Sequence, residues 1–558
     1  MNYTLSQVKT EIIDEIAASL KKSIEKELFQ LDEIPEILLE TPREKQFGDF
    51  STNIAMQLPK LTKKSPRYIA EAIVENYDKS KTHVEKIDIA GPGFINFTLK
   101  EDWIYGILED VKNTGSDYGK TEYGRGRKVN VEFISANPTG PMHMGNARGG
   151  AIGDGMAQVL SWAGFEVVKE FYINDAGNQI EKFGQSLEAR YLQINGVAVE
   201  FPEDGYKGED ITIHMNEFTE AHGNKYVNFD SRERREVLIA YALEKNIKKI
   251  EEDLKGYGIE YDVWFRESEL HKSNAVLEIV EELKERGHTY EKDGATWFKA
   301  TEFGCEKDDV LIRNNDIPTY FAADIAYHVN KFRTRGFDWG INVWGADHHG
   351  HVARIKAALD ALGLKGDNLD VILMQLVRLV RKGETARMSK RQGNMVTLSD
   401  LIDEVGKDAA RFFFNLRSPE SHFDFDLDLA VEESNENPVF YVQYAHARIS
   451  SILRQVEEDL GKIDADFTLL KEKEEKELIR ILAEFPFEII TSVEKMDPSR
   501  ITRYAMDVAS NFHSFYNACR VRNDDLKLMK ARVELVSAVK VVLKNITEIL
   551  GIKAPERM

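Results

Sequence analysis

Two cysteines in 558 residues are too few for a disulfide framework, and Cys305 and Cys519 are too far apart in the chain to begin a thiolate metal cluster. With 14 prolines and 37 glycines, a collagenous or low-complexity chain is excluded. No apolar run reaches the ~18 residues that span a bilayer. The best stretch, Val371 to Val380, is broken by Gln375 and Arg378. Glu11, Asp14 and Glu15 stand where a secretory leader would need an apolar core. An excess of positive charge is missing too. A net charge of −21 argues against a generic nucleic-acid binder. Local basic patches do occur, at Lys60, Lys63, Lys64 and Arg67, at Arg125, Arg127 and Lys128, and at Arg520, Arg522, Lys527, Lys530 and Arg532. They could grip RNA from within an acidic chain, or they are solvated surface. These absences leave an enzyme of the reducing cytoplasm as the expected class.

With 42% hydrophobic residues the chain can bury sizeable cores, and at ~150 residues per domain its length predicts roughly three to four domains. Residues 1–115 read as an α+β unit. Val8, Ile12, Ile16 and Leu20 repeat at helical spacing, Ser65-Pro66 opens a second helix, and Gly91-Pro92-Gly93 joins two strands as a hairpin. A glycine-rich linker is expected from Gly115 to Gly126. Residues 116–436 alternate strands (129–134, 165–173, 341–346) with helical patterns, which predicts a parallel sheet. A charged, mostly helical insertion is expected at about 180–290. From Asn437-Pro438 to residue 558 the pattern is an all-α bundle.

Two segments carry chemistry. The first is a strand and turn leading through His143-Met144-Gly145-Asn146 into a helix rich in small residues, Ala147, Gly149, Gly150, Ala151, Gly153 and Gly155. Each helical glycine costs up to ~1 kcal/mol against alanine, so close backbone approach must be required there. A helix N-terminus at the carboxyl edge of a parallel sheet binds anions, and His143 could donate to charge developing on phosphorus. A plain βα connection with a capping histidine is the alternative. The second segment, Arg387-Met388-Ser389-Lys390-Arg391-Gln392-Gly393-Asn394, is short, basic and glycine-containing. A loop of that composition can close on a polyphosphate, or it is an ordinary surface loop.

Taken together, the two segments resemble the paired motifs of class I aminoacyl-tRNA synthetases. The run Val131 to Gly149, Gly48-Asp49-Phe50-Ser51-Thr52-Asn53, Gly91 to Phe97, Tyr320-Phe321-Ala322-Ala323-Asp324, Val343 to His349 and Gln443 to Arg448 resemble the arginyl-tRNA synthetase family in particular, in family order and over nearly the whole chain. Two positions depart from the family pattern. Asn146 replaces the second histidine of the first motif, and Arg387 replaces the first lysine of the second, so charge persists but the compact ammonium is lost.

The resemblance implies a Rossmann-like catalytic domain between an N-terminal α+β domain that meets the outer corner of tRNA and a C-terminal helical domain that meets the anticodon stem-loop. It implies ATP with Mg²⁺, L-arginine and tRNA(Arg) as partners, no membrane, and a two-step reaction through arginyl-adenylate. His143 and Lys390 are then expected to stabilise the α-phosphate and departing pyrophosphate, with Gly145, Asn146, Met388 and Ser389 completing the ATP cradle. Tyr320 and Asp324, one helical turn apart, are expected to hold the guanidinium, and Asn96, Glu132, Ser135, Asn137 and Asp347 the α-amino group and backbone of arginine. An ammonium cannot satisfy a bidentate carboxylate plus a tyrosine oxygen, so lysine is rejected. His348, His349 and His351 invite a zinc reading, but without cysteines a nucleotide-edge or capping role is preferred and no metal site is expected. Tyr441, Tyr444, Phe512, Phe515 and Tyr516 could stack unpaired bases, and Ala554 to Met558 resembles the family's C-terminal end near the anticodon. A monomer is expected. The alternatives are a non-catalytic tRNA-binding relative, which would have lost some of these residues, and a small-molecule nucleotidyltransferase, for which both outer domains are superfluous.

Overall fold

The computed structural model describes residues 3–42, 44–385, 396–456 and 463–558. At its centre lies a five-stranded, all-parallel sheet. Its spatial order is Leu369–Met374, Trp339–Gly345, Lys128–Glu132, Glu166–Ile173, Val263–Arg266. Val129, Val131, Phe171, Ile341 and Val343 fill its faces at 5% exposure or less. The outermost strand, Val263–Arg266, falls inside the stretch read as an insertion. That stretch returns to the sheet after the helices Asn178–Ile194, Glu209–His222 and Ser231–Gly256. The antiparallel sheet of Thr289–Lys292, Ala295–Phe298 and Asp309–Ile312 is likewise absent from the sequence reading. Both were missed because a four-residue strand flanked by charged helices carries too little period to register.

The glycine-rich helix, Gly145–Trp162, lies on the sheet, and its packing answers why glycine is tolerated there. A Cβ at Gly153 would stand 2.2–2.6 Å from the Phe133 side chain, and one at Gly150 would stand 2.9 Å from Ile259. The helix backbone therefore touches large side chains directly.

The N-terminal unit has the helices Thr4–Glu25 and Pro66–Asn76 on a three-stranded antiparallel sheet, with Ser65 Oγ accepting from the Tyr68 N–H as expected of an N-cap. Val8, Ile12, Ile16 and Leu20 form its core. The expected linker is instead a packed junction. Tyr118 is 1% exposed and donates to the Leu482 carbonyl at 3.0 Å, and Asn545 donates to the Gly115 and Tyr118 carbonyls. The C-terminal bundle comprises Pro438–Val456, Lys473–Ala483, Phe485–Glu494, Ser499–Ala518 and Leu526–Leu550. Fully buried Arg411 ties it to the catalytic unit. Its Nε donates to the Leu550 carbonyl at 2.8 Å, and its Nη2 pairs with Asp154 of the glycine-rich helix. Among the described residues no helix is long and apolar enough to cross a membrane.

Candidate active site

The chain leaves the strand Lys128–Glu132 through Ile134 (φ 68°) and Ser135 (φ 45°), both left-handed. For a β-branched residue this costs on the order of 1–3 kcal/mol, a strain that clusters at functional sites. It turns Ser135 back over the strand end, where its hydroxyl donates to Glu132 Oε1 at 3.0 Å and accepts from the Tyr172 N–H at 3.2 Å. Glu132 is 6% exposed, and its other oxygen accepts from Lys331 Nζ at 2.8 Å. Asn137 follows on the exposed turn.

The turn before the glycine-rich helix is clamped by a second segment. Met144 N–H donates to the Val396 carbonyl at 2.9 Å, and Leu398 N–H donates to the Met142 carbonyl at 3.0 Å. His143 is exposed. Its Nδ1 accepts from the Gly145 N–H at 3.1 Å, which leaves the ring proton on Nε2, free to donate outward. Asn146 Oδ1 accepts from the His143 N–H at 3.3 Å, so the residue that departs from the family pattern closes the turn. One turn on, buried Arg148 donates to the carbonyls of Gln375, Ser418 and Ser421 at 2.7–3.0 Å, fixing the wall opposite. Between them opens a cavity of about 880 Å³, bordered by His143, Gly145, Leu376, Val377 and Phe423. Thr385 and Val396 also border it. Arg387, Met388, Ser389, Lys390 and Arg391, between those two, lie outside the described residues.

A second cavity, of about 420 Å³, opens at the start of the helix Tyr320–Val329. Tyr320 is 45% exposed and lies against Gly177, whose φ of 80° and lack of a Cβ admit the phenol. Asp324 Oδ2 accepts from His351 Nε2 at 2.6 Å, and Oδ1 stands 3.1 Å from His328 Nδ1. Burial pushes the Asp324 carboxyl up, but His328 and His351 outweigh it and hold the group well below the usual carboxylate range. Glu267, 3% exposed, lines the same cavity and accepts from the Tyr172 hydroxyl at 2.8 Å. Burial, and then the charges of Glu267, Asp324 and Glu132, all push the Tyr172 phenol up. Glu267 accepts from the phenol directly, and the other two carboxylates act on it through their charge.

Tyr172 links several of these residues: its N–H donates to Ser135, which donates to Glu132, and its hydroxyl donates to Glu267 in the cavity that Tyr320 lines, with Asp324 one helical turn from Tyr320. Asp347 lies just past the end of the strand Trp339–Gly345, with its side chain 83% exposed and 3.7 Å from His348. His348 and His349 are exposed while His351 turns inward, so the three imidazoles do not converge, and among the described residues no group is arranged to hold a metal. Asn96 sits in the N-terminal sheet, 6% exposed, accepting from Ser51 Oγ at 2.7 Å. The sequence reading missed Glu267, which lay in the assumed insertion, and it missed Lys331 and His328. Of these only His328 carried a signal, its spacing of one helical turn from Asp324. In the bundle, Phe512 and Phe515 are 0% exposed and belong to the core, which removes them as base-stacking candidates. Tyr444 and Tyr516 flank Arg448 at 5.3 and 4.3 Å, beside a cavity that Met558 helps to line.

Comparison with known proteins fits this geometry. The model of the arginyl tRNA synthetase N terminal domain matches residues 10–99, that of the class I (R) tRNA synthetase catalytic domain residues 109–420, and that of the DALR anticodon binding domain residues 442–558. An arginine–tRNA ligase of Caldanaerobacter subterraneus is 58% identical over the full length of both chains. The chain belongs to the arginyl-tRNA synthetase family. An arginine–tRNA ligase of Ruminiclostridium cellulolyticum is 56% identical over 99% of each chain. The Thermus thermophilus arginyl-tRNA synthetase structure shares the fold, with a TM-score of 0.74 at 21% identity over 98% of this chain and 99% of that one.

Proposed function

We propose that this chain joins L-arginine to tRNA(Arg) at the expense of ATP, with arginine held in the acidic cavity and ATP at the helix end. The observation that carries this reading is a cavity lined by Tyr320 and Glu267 at the start of the helix that bears ionised Asp324, with the charges of Asp324 and Glu132 both acting on Tyr172, which donates to Glu267, so that acids are at hand for both cationic ends of arginine. The guanidinium, with five donors in a plane, meets Asp324 and the Tyr320 oxygen. Glu132 and Ser135 take the α-amino group, with Asn137, Asp347 and Asn96 around the substrate backbone. The substrate carboxylate then attacks the α-phosphorus in line. It is already ionised, so no protein base is needed, and the enzyme contributes position and charge. His143 donates from Nε2 to the phosphate, and Gly145 and Asn146 hold the cradle. We assign Lys390, Ser389 and Met388 to the polyphosphate because both flanks of their segment border the ATP cavity. ATP enters as its Mg²⁺ complex, with the ion held mostly by phosphate oxygens and water. Arginyl-adenylate and pyrophosphate result, and the arginyl group passes to the 3′-terminal ribose of tRNA.

The exposed Lys60, Lys63, Lys64 and Arg67 suit the outer corner of tRNA, and the Tyr444–Arg448–Tyr516 cluster suits unpaired anticodon bases. We take residues 1–115, 116–436 and 437–558 as the three functional domains of a cytoplasmic monomer, which size-exclusion chromatography checks. Arginine-dependent ATP–pyrophosphate exchange, run with and without tRNA, tests the activity. Exchange is expected with tRNA present, and none under either condition would refute the reading.

A further inference from the structure

Behind the acidic pocket runs a chain of buried polar side chains that the reaction as described does not use. His328, Asn342 and Lys331 are each 0% exposed. Lys331 Nζ donates to Glu132 Oε2 at 2.8 Å and to Asn342 Oδ1 at 3.0 Å. An ammonium has only donors, so the amide oxygen must face it, and the Asn342 amide nitrogen is left for His328. That nitrogen stands 2.8 Å from His328 Nε2. Nε2 therefore accepts, and the imidazole proton sits on Nδ1. Nδ1 in turn faces the Asp324 carbonyl at 2.8 Å and Asp324 Oδ1 at 3.1 Å. Each group in the chain dictates the orientation of the next, and its two ends are the carboxylates assigned to opposite ends of the substrate.

We propose that Lys331, Asn342 and His328 form a positioning relay that fixes Glu132 and Asp324 relative to each other, so that the pocket measures the length of arginine. The proposal rests on the reading that this pocket takes arginine. The relay lies on two rigid elements, the strand Trp339–Gly345 and the helix that carries Asp324 with its continuation through Lys331. None of its three members reaches the ATP cavity lining. Its loss should therefore loosen arginine binding and leave ATP binding as it is.

The test uses the full-length enzyme with tRNA present and reads exchange kinetics for Asn342→Leu, which keeps the branched shape but makes neither hydrogen bond, and for Lys331→Met at the other end. Arginine KM is expected to rise about tenfold or more in each, the loss of a hydrogen bond to a charged group. ATP KM is expected to stay within about twofold, with thermal unfolding confirming a folded enzyme. A folded variant with unchanged arginine KM, or with arginine and ATP KM rising by the same factor, overturns the relay. Arginine affinity by calorimetry on the same variants gives a second reading without turnover. A wild-type enzyme that shows no arginine-dependent exchange would instead overturn the assignment of the pocket.

Discussion

Replacing Asp324 by asparagine removes one charge and almost no volume. In the free protein the carboxylate is 23% exposed and held by His351 at 2.6 Å and His328 at 3.1 Å. A guanidinium bound there makes two charge-assisted hydrogen bonds, each worth ~1.5–3 kcal/mol. Because His351 already occupies one oxygen, the net loss on Asp324→Asn falls at about 3–4 kcal/mol, roughly 150- to 900-fold in kcat/KM for arginine. The asparagine amide would add a repulsion of its own, since one of its two positions presents N–H groups to the incoming cation. Pyrophosphate exchange at saturating tRNA and ATP measures the effect, with ATP KM as the internal control. A fall of less than tenfold, or an equal change in ATP KM, would refute the guanidinium assignment. The pH dependence has a definite sign. The folded-state carboxyl lies below its ordinary value, so Asp324 remains ionised until the pH has dropped through the usual carboxylate range near ~4. Arginine KM should show no rise from Asp324 protonation above that pH.

Three further outcomes follow from the same geometry. Burial raises the Glu267 carboxyl above its ordinary value, so its ionisation costs stability at high pH and that cost fades as the pH falls through the folded value. Glu267→Gln should therefore melt above wild type at pH 8 with the gap closing toward acid, while arginine KM rises. Both are measured on the same preparation, and a lower melting point at pH 8 would contradict it. Arg411→Met leaves Asp154 with Lys169 alone, at 3.2 Å, and strips the donor from the Leu550 carbonyl, so a loss of about 3–5 kcal/mol is expected by denaturant unfolding. Gly153→Ala drives a methyl to within 2.2–2.6 Å of Phe133 and should cost about 1–3 kcal/mol by the same measurement.

The sequence exposes those parts of the fold whose pattern is local. Helix Pro66–Asn76 announces itself by a serine cap and a proline, and the glycine-rich helix by a composition that only tight packing explains. The strand Val263–Arg266 does not, because its place at the sheet edge is decided by pairing with Glu166–Ile173 far back in the chain. The same division runs through the site. His143, Tyr320 and Asp324 were picked out because the short motifs that carry them resemble the family's, each within a few consecutive residues. Glu267 was not, because it reaches the pocket from a distant segment, and Lys331 was not, because its partners Glu132 and Asn342 lie on strands that only the fold brings beside the end of the Asp324 helix. Phe512 and Phe515 show the opposite error, since a helix packed on several sides turns its aromatics into core.

The two cavities solve opposite electrostatic problems by different means. On the phosphate side the described chain supplies few side-chain charges. Cationic character there comes from a helix end, an imidazole proton aimed outward and Arg378 on the lining, itself paired with Asp424. On the arginine side Glu132 is buried and Asp324 partly so, and the protein pairs Glu132 with Lys331 and gives Asp324 hydrogen-bond donors from His328 and His351. The free pocket is thus already neutralised in part, and a cation must displace or share those donors to enter. A planar guanidinium can bridge Asp324 and the Tyr320 oxygen while His328 still donates from behind. A lysine ammonium has three donors at one point and cannot span both, so it would leave an acceptor unpaired in a buried site. On the proposed assignment, selectivity against lysine would arise as much from the partners the pocket already holds as from the carboxylate itself.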